Sequence, residues 1–296
     1  MSTIAALLRC MRPWQYTKNL LVFAALIFAH RMSDTSAVVV TVLAFVLFCM
    51  VSSSVYLIND IRDRVEDRKH PEKRHRPIAC GALSPRLAGI AAAILAVVGL
   101  GGSFAVNMSL GAVTLGYFGL QMLYQIALKQ LVLLDVLAIA MGFVLRAVAG
   151  AEAIDVVISP WLLICTFLLA LFLGLAKRRG ELTMIEDSFE GRRKTLHLYS
   201  VEMLDQLIPT MAACTIMAYC LYTISARTVA ELGSTRLMYT IPFVIYGLFR
   251  YVYLMHRHGH GGAPDRTLLR DKPLLATVAL YVATAAIIIY YVPDGA

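Results

Sequence analysis

The sequence predicts an all-α protein that crosses a membrane many times. Three observations lead there. Hydrophobic residues make up 59% of the 296 positions and charged residues only 16%, and the mean hydropathy is +0.71. A soluble domain of that composition would expose far more apolar surface than such domains tolerate. The apolar residues also fall into runs long enough to cross a bilayer, which takes roughly 20 residues per helix. Finally, the basic residues collect on alternate connections between those runs, the bias that orients membrane helices.

About nine spans follow from that ruler, near 18–32, 37–58, 86–107, 109–128, 131–151, 160–177, 204–226, 238–256 and 272–292. They form one transmembrane domain over residues 1–296. The first is short, and Lys18 and Asn19 enter it together, either as phosphate contacts or as interfacial anchors. In the third, Gly99, Gly101 and Gly102 suit close helix packing. The fourth ends at Tyr124 and Lys129, which read as ligand contacts or as an aromatic-belt tyrosine and a topology-setting lysine. Asp135 opens the fifth, where a helix N-terminus favours an acid. Arg146 lies deep in that span, and an intramembrane charge usually faces a polar cavity.

The stretch from Met1 to Asn19 has charges and Pro13 but no signal-peptide core, so the first span is expected to stay. Four of the six cysteines (Cys49, Cys165, Cys214 and Cys220) fall inside spans without a C-x-x-C pair, which reads as packed thiols. The segment with His256, His258 and His260 reads as a mobile loop rather than a metal site, since glycines loosen it and no acid or cysteine is near in sequence.

A net charge of +8 would suit a nucleic-acid partner, but its distribution does not. Of the 27 Lys and Arg residues, all but Arg31, Arg146, Arg227, Arg236 and Arg250 lie in the N-terminal segment or after even-numbered spans. That bias places the N-terminus and those connections in the cytoplasm, and the chain is expected in the inner (plasma) membrane. Basicity therefore reports topology, and no nucleic acid is expected.

Topology leaves "VYLINDIRDRVEDRKHPEKRHRPIACG", Val55–Gly81, unexplained. If the second helix continues, Asp60, Asp63 and Asp67 stand at i, i+3 and i+7 on one face with Asn59 beside them. Carboxylates so placed repel unless a cation sits among them. Hard oxygen donors suit Mg²⁺, which binds one or two carboxylates together with substrate phosphates. Lys73, Arg74 and Arg76 follow at once, the cations expected where a diphosphate is held and must leave. The competing reading is a solvated helix end neutralised by Arg62, Arg64 and Arg68.

This stretch resembles the first aspartate-rich motif of the UbiA superfamily of intramembrane prenyltransferases, N-D-x-x-D-x-x-x-D followed by R-P-x-x-x-G. Asn59, Asp60, Asp63, Asp67, Arg76, Pro77 and Gly81 fall on it. The resemblance implies that family's helical bundle, a cytoplasm-facing active site, and Mg²⁺ on Asn59 and the three aspartates. Members usually have a second acidic motif after the sixth helix. Here "GLAKRRGELTMIED" places Lys177, Arg178 and Arg179 at that point, with Glu181, Glu186 and Asp187 behind them. Cations there suit ligands with more negative charge than an aromatic acceptor has.

The segments "MRPWQYTKNLLVFAAL", "LVLLDVLAIAMGFVLRAVAGAEAI" and "AKRRGEL" are similar to the branch of that superfamily that makes polyprenyl phosphoribose. That likeness implies transfer of a 5-phosphoribosyl group from phosphoribosyl diphosphate to a polyprenyl phosphate for arabinan precursors. Lys18, Asn19, Lys73, Arg74, Arg76, Tyr124, Lys129, Arg146, Lys177, Arg178 and Glu181 would hold the phosphates. The alternatives are an aromatic prenyltransferase of quinone or haem synthesis and, in a different class, a transporter or lipid-binding protein. Against the transporter, no corresponding pair of broken helices is visible. Isoprenoid length and oligomeric state stay open, a homo-oligomer among the possibilities.

Overall fold

The computed structural model describes residues 2–71, 73–183, 198–232, 234–258, 267 and 270–291. Among them the regular structure is helical throughout. Helix α1 (Thr3–Met11) starts on Ser2, whose Oγ accepts the Ala5 N–H, and stops at Arg12, which takes a left-handed φ of 57°. A 3₁₀ stretch, Pro13–Phe23, and the short α2 (Ala24–Phe28) follow. The expected first span is thus not one continuous α-helix. Pro13 resets the backbone, and Asn19 turns its amide inward instead of meeting lipid.

The long α3 (Thr35–Arg62), capped by Asp34, runs a turn past its apolar stretch into the acidic motif. It ends at Asp63, and α4 (Arg64–Lys69) starts afresh. Then come α5 (Pro85–Val106), α6 (Met108–Ile126), α7 (Leu134–Ala153), α8 (Pro160–Thr183), α9 (Val201–Ile224), α10 (Ala226–Leu232), α11 (Ile241–His258) and α12 (Lys272–Tyr291). Side chains cap five of these: Ser84 before α5, with Pro85 in the first turn, Asn107 before α6, Ser200 before α9, Ser225 before α10 and Asp271 before α12.

Seven of the described helices are long and apolar enough to cross a membrane, against about nine expected. Besides the first segment, α6 falls short, because Gln121, Tyr124 and Gln125 dilute its apolarity. It still packs between α5 and α7 as a full member of the bundle.

Helix α7 is shared by two cores. Val136 near its start packs with Phe172, Leu175, Leu204, Ile208 and Met255. Ala149 and Ala151 near its end pack with Val22, Phe48, Val51, Leu110 and Tyr117. In lipid, such contacts rest on close backbone approach more than on exclusion of water. A Cβ added to Gly150 would lie 1.8 Å from the Val22 carbonyl oxygen, so the first segment presses directly on α7. Gly99 and Gly102 meet Val51 and Leu47 of α3, as packing glycines do, while Gly101 faces open space.

A third cluster underlies the acidic motif. Ala6 and Cys10 of α1, Leu57, Ile78, Leu83, Ala88 and Ala92 bury one another and pin the 77–83 turn to the ends of α3 and α5. Gly81 closes that turn at φ 84°, where a side chain would be strained.

Candidate active site

The break at Asp63 reorganises the aspartates. Asp60 and Asp67 turn inward and are buried, 2% and 4% exposed, while Asp63 stays half-buried. One nitrogen joins the buried pair: Arg76 Nη1 is 2.8 Å from Asp67 Oδ2 and 3.2 Å from Asp60 Oδ1. Asp60 Oδ1 also accepts from Arg12 Nη2 at 2.5 Å. Asp63 pairs elsewhere, with Lys129 Nζ at 3.0 Å. The expected stripe of three is therefore a pair plus one. Among the described residues no three acidic, His or Cys side chains stand close enough to share one metal ion.

A pair is nevertheless what Mg²⁺ uses when a substrate diphosphate completes its shell. Asp60 and Asp67 lie within reach of a single cationic atom, and their donors are hard oxygens. Those two residues fit the ion. Asn59 contributes its main-chain oxygen to the helix end, accepting the Asp63 N–H at 2.9 Å.

In the sequence Arg12 is one residue of the N-terminal segment MRPWQYTKNLLVFAAL, with nothing local to link it to the acidic motif. The structure brings it across 48 residues to Asp60 and lays its guanidinium 5.2 Å from the Tyr56 ring centroid. Its left-handed backbone aims it there, directly before Pro13.

The basic turn Lys73–His75 is a 3₁₀ turn beside the pair, with Lys73 half-buried and Arg74 exposed. Lys18 and Tyr124 are half-buried, and both have partners. Arg76 and Lys129 are likewise half-buried.

Arg146 and Asn19 lie deeper and face each other. Arg146, 4% exposed, donates through Nε to Asn19 Oδ1 (2.8 Å), through Nη1 to the Gly142 carbonyl (2.7 Å) and through Nη2 to Tyr117 Oη (2.9 Å). Its guanidinium also lies near the rings of Phe48, Tyr117 and Phe143. Asn19 in turn donates to Cys49 Sγ and Ser52 Oγ. This buried cation is neutralised by dipoles and ring faces, an arrangement that ties the first segment to α3, α6 and α7.

The "AKRRGEL" stretch continues α8 as helix, which separates its cations. Lys177 is exposed. Arg178, expected at a phosphate, instead points into the bundle and is 3% exposed, with Nε on Asp135 Oδ2 (2.8 Å) and Nη1 on Glu181 Oε2 (2.6 Å). Asp135, which reads in sequence as a helix-dipole acid, is the buried anion of that pair. Arg179 pairs with Asp205, and exposed His256 stands 3.3 Å from the same carboxylate. Glu186, Asp187, His260 and the His258 side chain lie outside the described residues.

Comparison with known proteins shows the family of the chain. The family model described as "UbiA prenyltransferase family" matches residues 20–269. A decaprenyl-phosphate phosphoribosyltransferase of Mycolicibacterium smegmatis is 33% identical over 97% of this chain and 93% of its own length. Proteins of the same name from Corynebacterium glutamicum (33% identical, 97% of this chain, 87% of theirs) and Mycobacterium tuberculosis (31%, 95% and 93%) are similarly close. Among solved structures, a UbiA homologue from Archaeoglobus fulgidus bound to GPP and Mg²⁺ superposes with a TM-score of 0.72, covering 96% of this chain and 99% of that one. At 18% identity that likeness concerns the fold.

Proposed function

The chain belongs to the UbiA prenyltransferase family, and on that premise we propose that it transfers a 5-phosphoribosyl group from phosphoribosyl diphosphate to a polyprenyl phosphate. That it is a multi-pass membrane transferase follows from the family and the apolar helices. The donor and acceptor rest on one observation above all: the likeness to decaprenyl-phosphate phosphoribosyltransferases over nearly the whole of both chains.

In this reading residues 1–296 form one domain in the plasma membrane, with the N-terminus and the acidic motif in the cytoplasm. Asp60 and Asp67 would hold Mg²⁺, which would supply the charge that offsets a bound diphosphate. Arg12 and Arg76 hold the two carboxylates close together, and their guanidinium groups stand ready for the diphosphate oxygens. Lys129, placed by Asp63, and Lys73, Arg74, Lys18, Tyr124 and Lys177 supply contacts to the remaining phosphates. Arg146 with Asn19, and Arg178 with Glu181, build the walls.

The chemistry is a displacement. An oxygen of the lipid phosphate forms a bond to the anomeric carbon as the bond from that carbon to the diphosphate oxygen breaks. Diphosphate leaves with the electron pair, and the anomeric centre inverts. The attacking oxygen is already anionic, so no strong base is required and positioning with electrostatics supplies most of the rate. The product would feed arabinan or arabinosyl donor synthesis.

Detergent-purified protein with Mg²⁺, labelled phosphoribosyl diphosphate and a polyprenyl phosphate tests this directly. Label is expected in the organic extract. Absence of that label, with transfer from a prenyl diphosphate to an aromatic acceptor instead, would overturn it.

A further inference from the structure

Leu133, the residue before α7, has φ 66° and ψ −41°, a conformation that side-chain-bearing residues rarely adopt. Its N–H donates to Tyr199 Oη at 2.7 Å, and the Tyr199 hydroxyl donates onward to Asp135 Oδ1, also at 2.7 Å. Asp135 Oδ2 is held by Arg178. Tyr199 and Asp135 are 4% and 1% exposed, so the bonds from Tyr199 to Asp135 and from Arg178 to Asp135 are made away from solvent, while Leu133 itself stands at the exposed edge of the network. A buried, saturated polar network around a strained residue is the arrangement that can hold such a backbone in place.

The strained residue ends a short connection. Lys129 lies in the 3₁₀ turn Leu128–Gln130, whose backbone is closed by Gln130 N–H to Ala127 O and Leu131 N–H to Leu128 O. The Leu131 carbonyl then accepts the Asp135 N–H. Three residues thus separate Leu133 from Lys129 through a turn with little slack, and Lys129 Nζ meets Asp63 at 3.0 Å.

We propose that Tyr199 is a positioning residue for the candidate site: by fixing Leu133 against Asp135, its hydroxyl sets where Lys129 stands relative to Asp63. The inference rests on the site reading above, in which Lys129 contacts a phosphate. Nothing in the aspartate motif names Tyr199, which comes from the segment entering α9. Burial pushes its phenol well above the usual range, so it remains a neutral donor at working pH.

The test uses Tyr199→Phe in the full-length protein, with binding of Mg²⁺ plus inorganic diphosphate followed by calorimetry and the lipid-extraction assay run beside it. Loss of one neutral hydrogen bond at this turn is expected to weaken diphosphate binding roughly three- to tenfold and to raise the donor KM more than it lowers kcat. In a Lys129→Ala background the same change should have almost no further effect, because its consequence passes through Lys129. Adding Leu133→Gly to Tyr199→Phe should restore much of the binding, since glycine holds a positive φ without help. Wild-type affinity in Tyr199→Phe, an undiminished penalty in the Lys129→Ala background, or no recovery with Leu133→Gly would each overturn the proposal. If wild-type protein binds Mg²⁺ and diphosphate yet moves no label into lipid, the phosphoribosyl reading fails while the positioning role stands. If wild-type protein binds no diphosphate, both fail.

Discussion

Arg76 and Asp67 face each other with Nη1 2.8 Å from Oδ2, and that same nitrogen is 3.2 Å from Asp60. The two aspartates are seven positions apart with a helix break between them, yet they share one cation. Like charges at that distance are tolerable only because positive charge lies between them.

The first prediction concerns this pair. Asp60→Ala and Asp67→Ala are expected to lower transfer by at least ~100-fold, the scale of losing a preorganised electrostatic contact, with the protein still inserted. EDTA should do the same and Mg²⁺ should restore activity. Asp63→Ala should fall in the same direction, and its effect should overlap that of Lys129→Ala, since the two are partners. Full turnover in EDTA would sink the metal assignment.

A second prediction separates two neighbours on α8. Arg178 is buried between Asp135 and Glu181, so Arg178→Ala leaves an uncompensated carboxylate inside the bundle and should destabilise by about 3–5 kcal/mol. Arg178→Lys should show a smaller fall in thermal midpoint, because a point ammonium cannot reproduce the two-pronged contact. Lys177 is exposed, and Lys177→Ala should leave the midpoint alone while raising the donor KM. A donor KM unchanged in Lys177→Ala removes that residue from phosphate binding.

Arg146 supports a third. Asn19→Ala removes the acceptor of Arg146 Nε and leaves a buried donor without it, a loss of about 1–3 kcal/mol. Asn19→Asp supplies a carboxylate instead, and the cation should then bind the first segment more tightly. Thermal unfolding in detergent that ranks Asn19→Ala above wild type would contradict the clasp.

Topology gives a fourth. Cys80 is exposed beside the acidic motif, whereas Cys10 is buried and burial pushes its thiol up to about 11. The thiolate is the reactive form, so at neutral pH Cys10 stays protonated and inert, and its labelling should rise only as pH climbs toward that value. An impermeant thiol reagent should reach Cys80 from the cytoplasmic side alone. Labelling of Cys80 in intact cells would reverse the orientation.

The sequence by itself determined the solvent, the helical class and the place of the acidic motif. Those properties are local sums: apolar content per span, a periodicity, a run such as Asn59–Asp67 whose residues adjoin one another. Tertiary structure decided which cation meets which acid. Arg12 reaches Asp60 across 48 residues, Lys129 reaches Asp63 across 66 and Arg146 reaches Asn19 across 127. Nothing in the local pattern distinguishes Arg178, turned inward, from Lys177 one position earlier, turned out. That choice follows from where α7 places Asp135, because a guanidinium carried into the bundle must find a carboxylate there or remain at the surface.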